Sequence, residues 1–200
     1  MTLSGVVENK FFHNYKFVFN HGINIVVGNN GTGKTTLLKT ICGIKRNKGH
    51  IMLNEKRLRK DTYAYFFSGD KLGEDEMSIK ETIFYYMNSK RTLLIKEYEA
   101  LMTMLNLKQH EDVLVKNASE GMKQKMNIII CLLNRRSVVL LDEPFNYLDE
   151  KACSSLIHYL QEYQRKCNNI IIISTNDLRL LSEFDSIKII DLNKMKIQTE

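Results

Sequence analysis

The chain has 200 residues, of which 44% are hydrophobic and 26% charged, and its formal net charge is +6. This balance suits one globular domain with room for an inserted subdomain. The longest apolar run, near residues 128–133, falls far short of the roughly 20 residues that span a bilayer. The first residues lack the pattern of a signal peptide. We therefore expect a soluble, cytoplasmic chain.

Basic side chains occur in pairs along the whole sequence, for example Lys45-Arg46 and Arg135-Arg136. A basic balance can indicate nucleic acid or an anionic membrane surface. No motif that reads nucleic acid accompanies the charge, so we expect a solvated surface and no nucleic-acid partner. The four cysteines are scattered without a C-x-x-C pair, and neither a zinc site nor a disulfide framework is expected.

Residues 6–20 are rich in aromatic and β-branched side chains, which predicts one or two strands. Phe11, Phe12 and Tyr15 lie in this stretch. One of them could stack on a purine ring, because aromatic faces bind bases without strict selection. Packing into a sheet is the other explanation for each of them, and the sequence does not choose.

Residues 28–35 match G-x-x-x-x-G-K-[ST], the phosphate-binding loop. Residues 23–27 are typical of a buried strand that enters the loop, and residues 36–42 of a helix that leaves it, with Gly43 as its stop. Glycines let backbone N–H groups approach phosphate closely, and the helix directs its partly positive end at the same place. Lys34 supplies charge to the outer phosphates, and the hydroxyl of Thr35 suits Mg²⁺.

Residues 49–54 and 63–67 predict two further strands, and residues 68–76 predict a polar loop. From residue 77 to about residue 107 the pattern is helical. Ser78 with Glu81 resembles a capping box. An apolar stripe at helical spacing follows, formed by Leu93, Leu94, Leu101, Met104 and Leu105 with Glu97 among them.

Residues 118–125 precede a predicted apolar helix over residues 126–133. Residues 138–141 predict a buried strand that ends in Asp142 and Glu143 and is closed by Pro144. The carboxyl end of a strand is where open α/β sheets bind ligands. Asp142 there suits a partner of Mg²⁺, and Glu143 suits a base that polarises the attacking water.

Residues 146–149 predict a turn, and an amphipathic helix follows. Residues 169–177 predict another buried strand with a polar end, and residues 187–190 and 195–197 two short strands. Strands that alternate with helices predict an α/β fold with a mainly parallel sheet covered by helices on both faces.

These stretches, in this order, resemble the nucleotide-binding domain of ABC transporters over nearly the whole chain. Residues 28–35 fit Walker A, and residues 138–142 fit Walker B with Glu143 in the catalytic position. Residues 119–124 resemble a degenerate form of the family signature LSGGQ, and residues 146–149 resemble the D-loop. The signature between the two Walker motifs makes the resemblance specific.

The resemblance implies the ABC ATPase form of the P-loop NTPase fold, with a small N-terminal antiparallel β part. It implies a single domain over residues 1–200 and an inserted helical subdomain at about residues 72–125. The expected cofactors are ATP and Mg²⁺. The residues expected to bind nucleotide are Gly28, Asn29, Asn30, Gly31, Thr32, Gly33, Lys34, Thr35 and Thr36, with Ser119 and Gly121 from a second copy. The expected catalytic residues are Glu143, Lys34 and Asn176, and Thr35 and Asp142 are expected at the metal.

By the same resemblance, two copies face each other head to tail, either as a homodimer or with another ABC ATPase. The dimer would drive a separate membrane permease from the inner face of the membrane, docked at the helical insertion and residues 68–76. The short length and the Gly-Met-Lys-Gln form of the signature favour small exporter ATPases, for example for peptides or lipids.

Two positions depart from the family. A Gln usually follows the strand that ends here at Phe67, where this chain offers Ser68, Gly69 or Asp70. The family has a His where this chain has Asn176, which predicts slow hydrolysis. Two alternatives therefore stay open: a soluble ABC ATPase of assembly or repair, and a degenerate subunit that binds ATP as a regulatory switch.

Overall fold

The structure is a computed structural model that describes residues 1–70, 72–87 and 91–194, with the side chains of residues 91–93 outside the description. The strand predicted at residues 195–197 lies outside the described residues. The strands are β1 (Thr2–Val7), β2 (Tyr15–Asn20), β3 (Gly22–Val27), β4 (His50–Leu53), β5 (Lys56–Arg57), β6 (Tyr63–Phe67), β7 (Val138–Asp142), β8 (Ile170–Thr175) and β9 (Ile187–Asp191). The helices are α1 (Lys34–Ile41), α2 (Ile79–Met87), α3 (Arg91–Met104), α4 (Glu120–Leu133) and α5 (Glu150–Cys167).

Five strands form a parallel sheet in the order β6-β7-β8-β3-β9. Every residue of β7 and β8 is buried, as expected for strands covered on both faces. Alternate residues of β8 face different cores: Ile171 and Ile173 pack with α2 to α5, and Ile170 and Ile172 pack with α1 and the second sheet. The predicted α/β architecture is thus observed.

The second sheet is antiparallel, in the order β2-β1-β4-β5. Residues 6–20, predicted as one or two strands, contain the end of β1 and all of β2, and a connecting loop over residues 8–14 lies between them. Asn9 organises this loop because its side-chain oxygen accepts the N–H groups of Phe11, at 2.9 Å, and Phe12, at 3.2 Å. Local side-chain bonds of this kind compete with strand pairing.

The helical stretch predicted from residue 77 to residue 107 is divided between α2 and α3. The predicted capping box is present: the N–H of Ser78 donates to Glu81 Oε2 at 2.8 Å, and the N–H of Glu81 donates to Ser78 Oγ at 3.2 Å. In the described part of the stripe, Leu94, Leu101 and Leu105 are buried. No described helix is long and apolar enough to cross a membrane.

The helix predicted to begin at residue 126 begins at Glu120 instead. Ser119 is its N-cap, and the Ser119 hydroxyl oxygen accepts the N–H of Met122 at 3.2 Å. The prediction was wrong because it followed the apolar run and overlooked a Ser followed by an acidic first turn, which is a helix-start signal.

Candidate nucleotide-binding site

The carboxyl ends of three neighbouring strands meet at one edge of the parallel sheet. In the register of β3, β7 and β8, Val27 pairs with Thr175, and Asp142 pairs with Ser174. The phosphate loop follows Val27 directly, so the sheet itself brings that loop beside the two carboxylates that end β7. Asn176, the first residue after β8, joins them at the same edge.

Gly33 sets the geometry of the phosphate loop. It is the N-cap of α1, its φ is 100°, and it makes no side-chain capping bond. A Cβ at this position would lie 3.0 Å from the ring of Phe12, and the left-handed backbone already favours glycine. The first N–H groups of α1 therefore have no capping side chain, which suits an anion at the helix start.

Thr35 and Asp142 form the acidic side of the site. The hydroxyl of Thr35 donates to Asp142 Oδ2 at 2.8 Å and lies 3.1 Å from Oδ1. Ser174, which the sequence analysis placed on a strand without a role, donates its hydroxyl to Asp142 Oδ1. A hydroxyl oxygen beside a carboxylate is a donor set suited to a hard cation such as Mg²⁺.

Glu143 forms an ion pair with Lys34. The Lys34 ammonium is 3.3 Å from Glu143 Oε1 and donates to the Gly28 carbonyl oxygen at 2.7 Å. Glu143 has a φ of 50°, and its N–H donates to the carbonyl oxygen of Ser174 at 3.1 Å. Burial raises the pKa of the Glu143 carboxyl, and the charge of Lys34 offsets only part of that rise. Glu143 is thus a constrained carboxylate of increased basicity, as a general base requires.

Asn176 bridges the phosphate loop and Glu143. Its side-chain amide donates to Asn30 Oδ1 at 3.3 Å, and its N–H donates to Glu143 Oε2 at 3.3 Å. The short side chain of Asn176 is therefore hydrogen-bonded to Asn30 of the phosphate loop.

A cavity of about 310 Å³ adjoins the phosphate loop, and Asp142 and Asn176 are not among its described lining residues. Its lining residues are Phe11, Asn29, Asn30, Gly31, Gly33, Lys34, Thr35, Thr36 and Glu143. Gly28 and Thr32 support the loop from behind: the Lys34 ammonium contacts the Gly28 carbonyl oxygen, and the Thr32 hydroxyl donates to the Asn29 carbonyl oxygen at 2.9 Å.

A second cavity of about 630 Å³ adjoins the first, and both are lined by Phe11 and Thr36. Phe11 is 55% exposed, whereas Phe12 is buried against Gly33. The Lys45 ammonium lies 5.4 Å from the centre of the Phe11 ring and 3.3 Å from the hydroxyl of Thr36. Of the three aromatic side chains that the sequence left open, Phe11 is the one that presents its ring to both cavities.

The signature residues lie elsewhere. Ser119 and Gly121 are not among the described residues that line either cavity. Gly121 packs near Tyr147, because a Cβ added at Gly121 would lie 3.5 Å from the Tyr147 Cβ. Gln124 is buried, and its side-chain amide donates to the carbonyl oxygens of Pro144 and Asn146. The start of α4 is thus tied to the segment that follows Glu143, a contact between distant residues that no local sequence pattern indicated.

The three candidates for the missing Gln also lie outside the cavity. Asp70 is the one with side-chain contacts to other elements: its carboxylate is 3.8 Å from the Lys39 ammonium. Its carbonyl oxygen accepts the side-chain amide of Asn127 at 2.9 Å. Asp70 therefore connects α1 with α4, while Ser68, Gly69 and Asp70 are absent from the described lining of the phosphate cavity.

A strand, phosphate loop and helix, with an acid-ended strand in the same parallel sheet, define a P-loop nucleotide-binding domain. The model of the family described as "ABC transporter" matches residues 12–146. The chain therefore belongs to the ABC transporter family and contains its ATP-binding domain, as the motifs predicted.

Individual relatives agree with this assignment. The chain is 31% identical over 182 residues to an ABC transporter-like protein of Encephalitozoon cuniculi, an alignment that covers 80% of this chain and 31% of that protein. It is 31% identical over 161 residues to the probable peptide export ATP-binding protein YydI of Bacillus subtilis, covering 78% of this chain and 71% of that protein. A solved structure of the ATP-binding subunit of an ABC transporter has a TM-score of 0.76 at 24% identity, covering 96% of this chain and 87% of that chain. This likeness confirms the predicted fold.

Proposed function

We propose that this chain hydrolyses Mg-ATP and so drives a membrane permease in the direction of export. The observation that carries the proposal is that Lys34, Thr35 and Glu143 line one cavity at the sheet edge, with Asp142 hydrogen-bonded to Thr35. These residue types supply the charge, the cation ligands and the base that phosphoryl transfer to water needs. Export is supported by the name of the Bacillus relative, a probable peptide export ATP-binding protein.

Each residue has a distinct role in the proposed reaction. Lys34 and the N–H groups at the start of α1 bind the β- and γ-phosphates. Thr35 and Asp142 would hold Mg²⁺, and the ion would supply positive charge that neutralises the phosphate oxygens. Glu143 accepts a hydrogen bond from the attacking water and takes its proton. Asn176 donates to the γ-phosphate region from the end of β8.

We place the adenine in the second cavity, against Phe11. The exposed ring of Phe11 is contiguous with the phosphate cavity, and base–aromatic stacking tolerates any base. Lys45 beside this ring adds positive charge near the sugar and the α-phosphate.

Two nucleotide-binding domains complete the site together in this proposal. The hydroxyl of Ser119 and the N–H groups near Gly121, at the start of α4, donate to the γ-phosphate bound by the other domain. Ser119 at the start of α4 is exposed and lies outside the chain's own phosphate cavity, as a surface that serves a partner must. The partner is a second copy of this chain or a related ATPase.

The permease docks, we propose, at a groove between the parallel sheet and the predicted helical subdomain of about residues 72–125. This groove of about 460 Å³ is lined by Tyr65, Leu72, Tyr86 and Asn127, among others. Tyr65 and Tyr86 are exposed. The buried Asn127 Oδ1 has no hydrogen-bond donor among the described residues, so a donor from a docked segment would complete it. Docking there places the chain on the inner face of the membrane.

Hydrolysis and assembly are tested on one set of variants. Phosphate release is measured for the wild type, Lys34→Ala and Glu143→Gln, and solution mass is measured with Mg-ATP and Mg-ADP. We expect Lys34→Ala to lose ATP binding, and Glu143→Gln to keep binding, lose hydrolysis and double in mass with ATP alone. A wild-type rate in Glu143→Gln contradicts the catalytic assignment. Co-purification with a membrane protein, or its absence, tests the permease.

A regulatory role is the second candidate, and Asn176 is the observation that favours it. The side-chain amide of Asn176 donates to Asn30 Oδ1. Members of the family have a histidine at this position. A chain that binds ATP tightly, dimerises and releases phosphate no faster than Glu143→Gln would be a switch rather than a motor.

A further inference from the structure

The positive charge of this chain is concentrated in one segment. Residues 44–62 contain seven lysines and arginines against two carboxylates, which gives a formal charge of +5 out of +6 for the whole chain. Pairs of basic residues occur throughout the sequence, but elsewhere they are balanced by acids. The segment spans the connection after α1, the hairpin β4–β5 and the turn before β6.

This segment, which we name the basic face, exposes all seven of its basic side chains to solvent. Its exposed basic side chains are Lys45, Arg46, Lys48, Lys56, Arg57, Arg59 and Lys60. Within residues 1–70, 72–87 and 91–194, the one ion pair that any of them makes is between Arg59 and Asp61, at 3.2 Å. Concentrated charge of one sign that finds few internal partners creates a local positive field.

The basic face surrounds a cavity of about 590 Å³. Lys45, Arg46, Arg57 and Lys60 line it together with His50, and none of its described lining residues is a carboxylate. Arg57 pairs with Met52 in the β4–β5 hairpin, and Met52 also lines the cavity. The fold therefore brings basic side chains from the connection after α1, from β5 and from the segment before β6 around one cavity.

The basic face also continues into the groove proposed for the permease. Lys60 and Tyr63 line both the basic cavity and that groove, and Arg136 lines the groove beside them. A permease segment in the groove would bring the adjoining basic face close to the bilayer that holds the permease. This orientation rests on the proposed function.

We infer that the basic face binds the anionic phospholipid headgroups of that bilayer. The charges are complementary, since clusters of four to eight basic residues near a membrane attract anionic lipid. Each basic side chain in such a cluster contributes roughly a fivefold gain in binding. Binding here would orient the chain and raise its local concentration at the permease. Part of the basic face is separate from the nucleotide site, because Lys56, Arg57 and Lys60 are absent from the described lining of both the phosphate cavity and the second cavity.

The test is co-sedimentation of the purified chain with phosphatidylcholine vesicles, with and without phosphatidylglycerol. The test variant is Lys56→Gln/Arg57→Gln/Lys60→Gln, which leaves Lys45 and Arg46 in place because both line the second cavity and Lys45 contacts Phe11 and Thr36. The matched control is Lys16→Gln/Lys151→Gln/Lys166→Gln, which removes the same charge at exposed positions outside the basic face. We expect binding of the wild type and the control only to phosphatidylglycerol vesicles, and about a hundredfold weaker binding of the test variant.

The salt dependence of vesicle binding, and competition by other anions, test whether the binding is electrostatic and specific to lipid. Binding should disappear at about 1 M salt, where the Debye length is about 3 Å. Equal losses in the test and control variants overturn the inference, because net charge alone would then act. So does tighter binding of an RNA or DNA oligonucleotide than of the vesicles, or full displacement by dilute inorganic phosphate. Wild-type chain that hydrolyses ATP but does not bind vesicles contradicts the inference alone, whereas vesicle binding without hydrolysis contradicts the proposed function alone.

Discussion

The ammonium of Lys34 is held 3.3 Å from Glu143 Oε1 and 2.7 Å from the Gly28 carbonyl oxygen. The side chains of Lys34 and Glu143 are largely buried, with exposures of 7% and 15%. Phosphate oxygens that bind Lys34 must therefore compete with the carboxylate proposed as the base. Nucleotide binding would release Glu143 from this ion pair, so the base would become available only when ATP is bound.

The raised pKa of Glu143 predicts a pH-dependent cost in stability. Burial is its main cause, opposed by Lys34 and increased by Asp142. A carboxyl whose pKa is higher in the folded state favours folding while protonated, and this contribution is lost as pH rises through the folded-state pKa. Glu143→Gln is neutral at every pH, so without nucleotide and metal it should unfold at a higher temperature than the wild type at pH 8.

Thermal unfolding from pH 8 down to the ordinary glutamate pKa of about 4.3 checks this prediction. The difference between the two proteins should shrink as pH falls, because both side chains become neutral. Asp61→Asn, at an exposed carboxylate outside the site, is the control and should show a smaller difference. A wild type that is more stable than Glu143→Gln at pH 8 would mean that the ion pair with Lys34 outweighs burial.

Phe11→Ala should weaken ATP binding without changing the fold. Stacking of a base on an aromatic ring contributes about 1–3 kcal/mol, which corresponds to about a 5- to 150-fold rise in Kd. Phe11→Tyr should keep the affinity. Tyr85→Ala, which removes an equally exposed ring from α2, is the matched control. Titration with ATP and with inorganic triphosphate separates the effects, because triphosphate has no base and should bind all variants alike.

Ser119 has two separable roles, as the cap of α4 and as the proposed donor to the partner's nucleotide. Ser119→Ala should lower the free energy of unfolding by about 1 kcal/mol and abolish ATP-dependent dimerisation in the Glu143→Gln background. Ser119→Asp keeps a good cap but places a negative charge against phosphate, so it should restore stability and still prevent dimerisation.

Ser78→Ala is the control for Ser119, since it removes the capping hydroxyl of α2 at a comparable cost in stability. It should dimerise normally with ATP, as judged by solution mass. A Ser119→Asp protein that still doubles in mass would show that the start of α4 does not face the partner's γ-phosphate.

Asn176→His should speed hydrolysis. A hydrogen bond to a charged group contributes roughly 1.5–3 kcal/mol, and about 1.4 kcal/mol corresponds to a tenfold change in rate. A longer ring that can carry charge should therefore raise kcat about tenfold or more, while Asn176→Ala should not. The measurement is phosphate release at saturating Mg-ATP. An unchanged rate for Asn176→His would show that this position does not limit turnover.

Local spacing carried most of what could be predicted. The phosphate loop, the acid-ended strand β7 and the Ser78–Glu81 box each depend on residues within a few positions of one another, and all three lie as expected. The cap at Ser119 was equally local, and its signal was present but overlooked.

Contacts between residues that are far apart in the chain could not be predicted from the sequence. The choice of Phe11 over Phe12 depends on which ring the loop after β1 turns towards Gly33. The bond from Ser174 to Asp142 depends on the register of β7 with β8. Gln124 reaches the segment after Glu143 only because α4 packs beside it. Such contacts follow from tertiary packing, which leaves no periodic trace in the chain.

The position of β3 between β8 and β9 has a consequence for biosynthesis. The strand that enters the phosphate loop lies at residues 22–27, yet the strands that flank it lie at residues 170–175 and 187–191. While the ribosome is making the residues in between, β3 has neither neighbour, and contacts of such high sequence separation form slowly. A nascent chain must therefore keep its nucleotide site unassembled until residues 170–191 have been made, so ATP capture before that point cannot guide its folding.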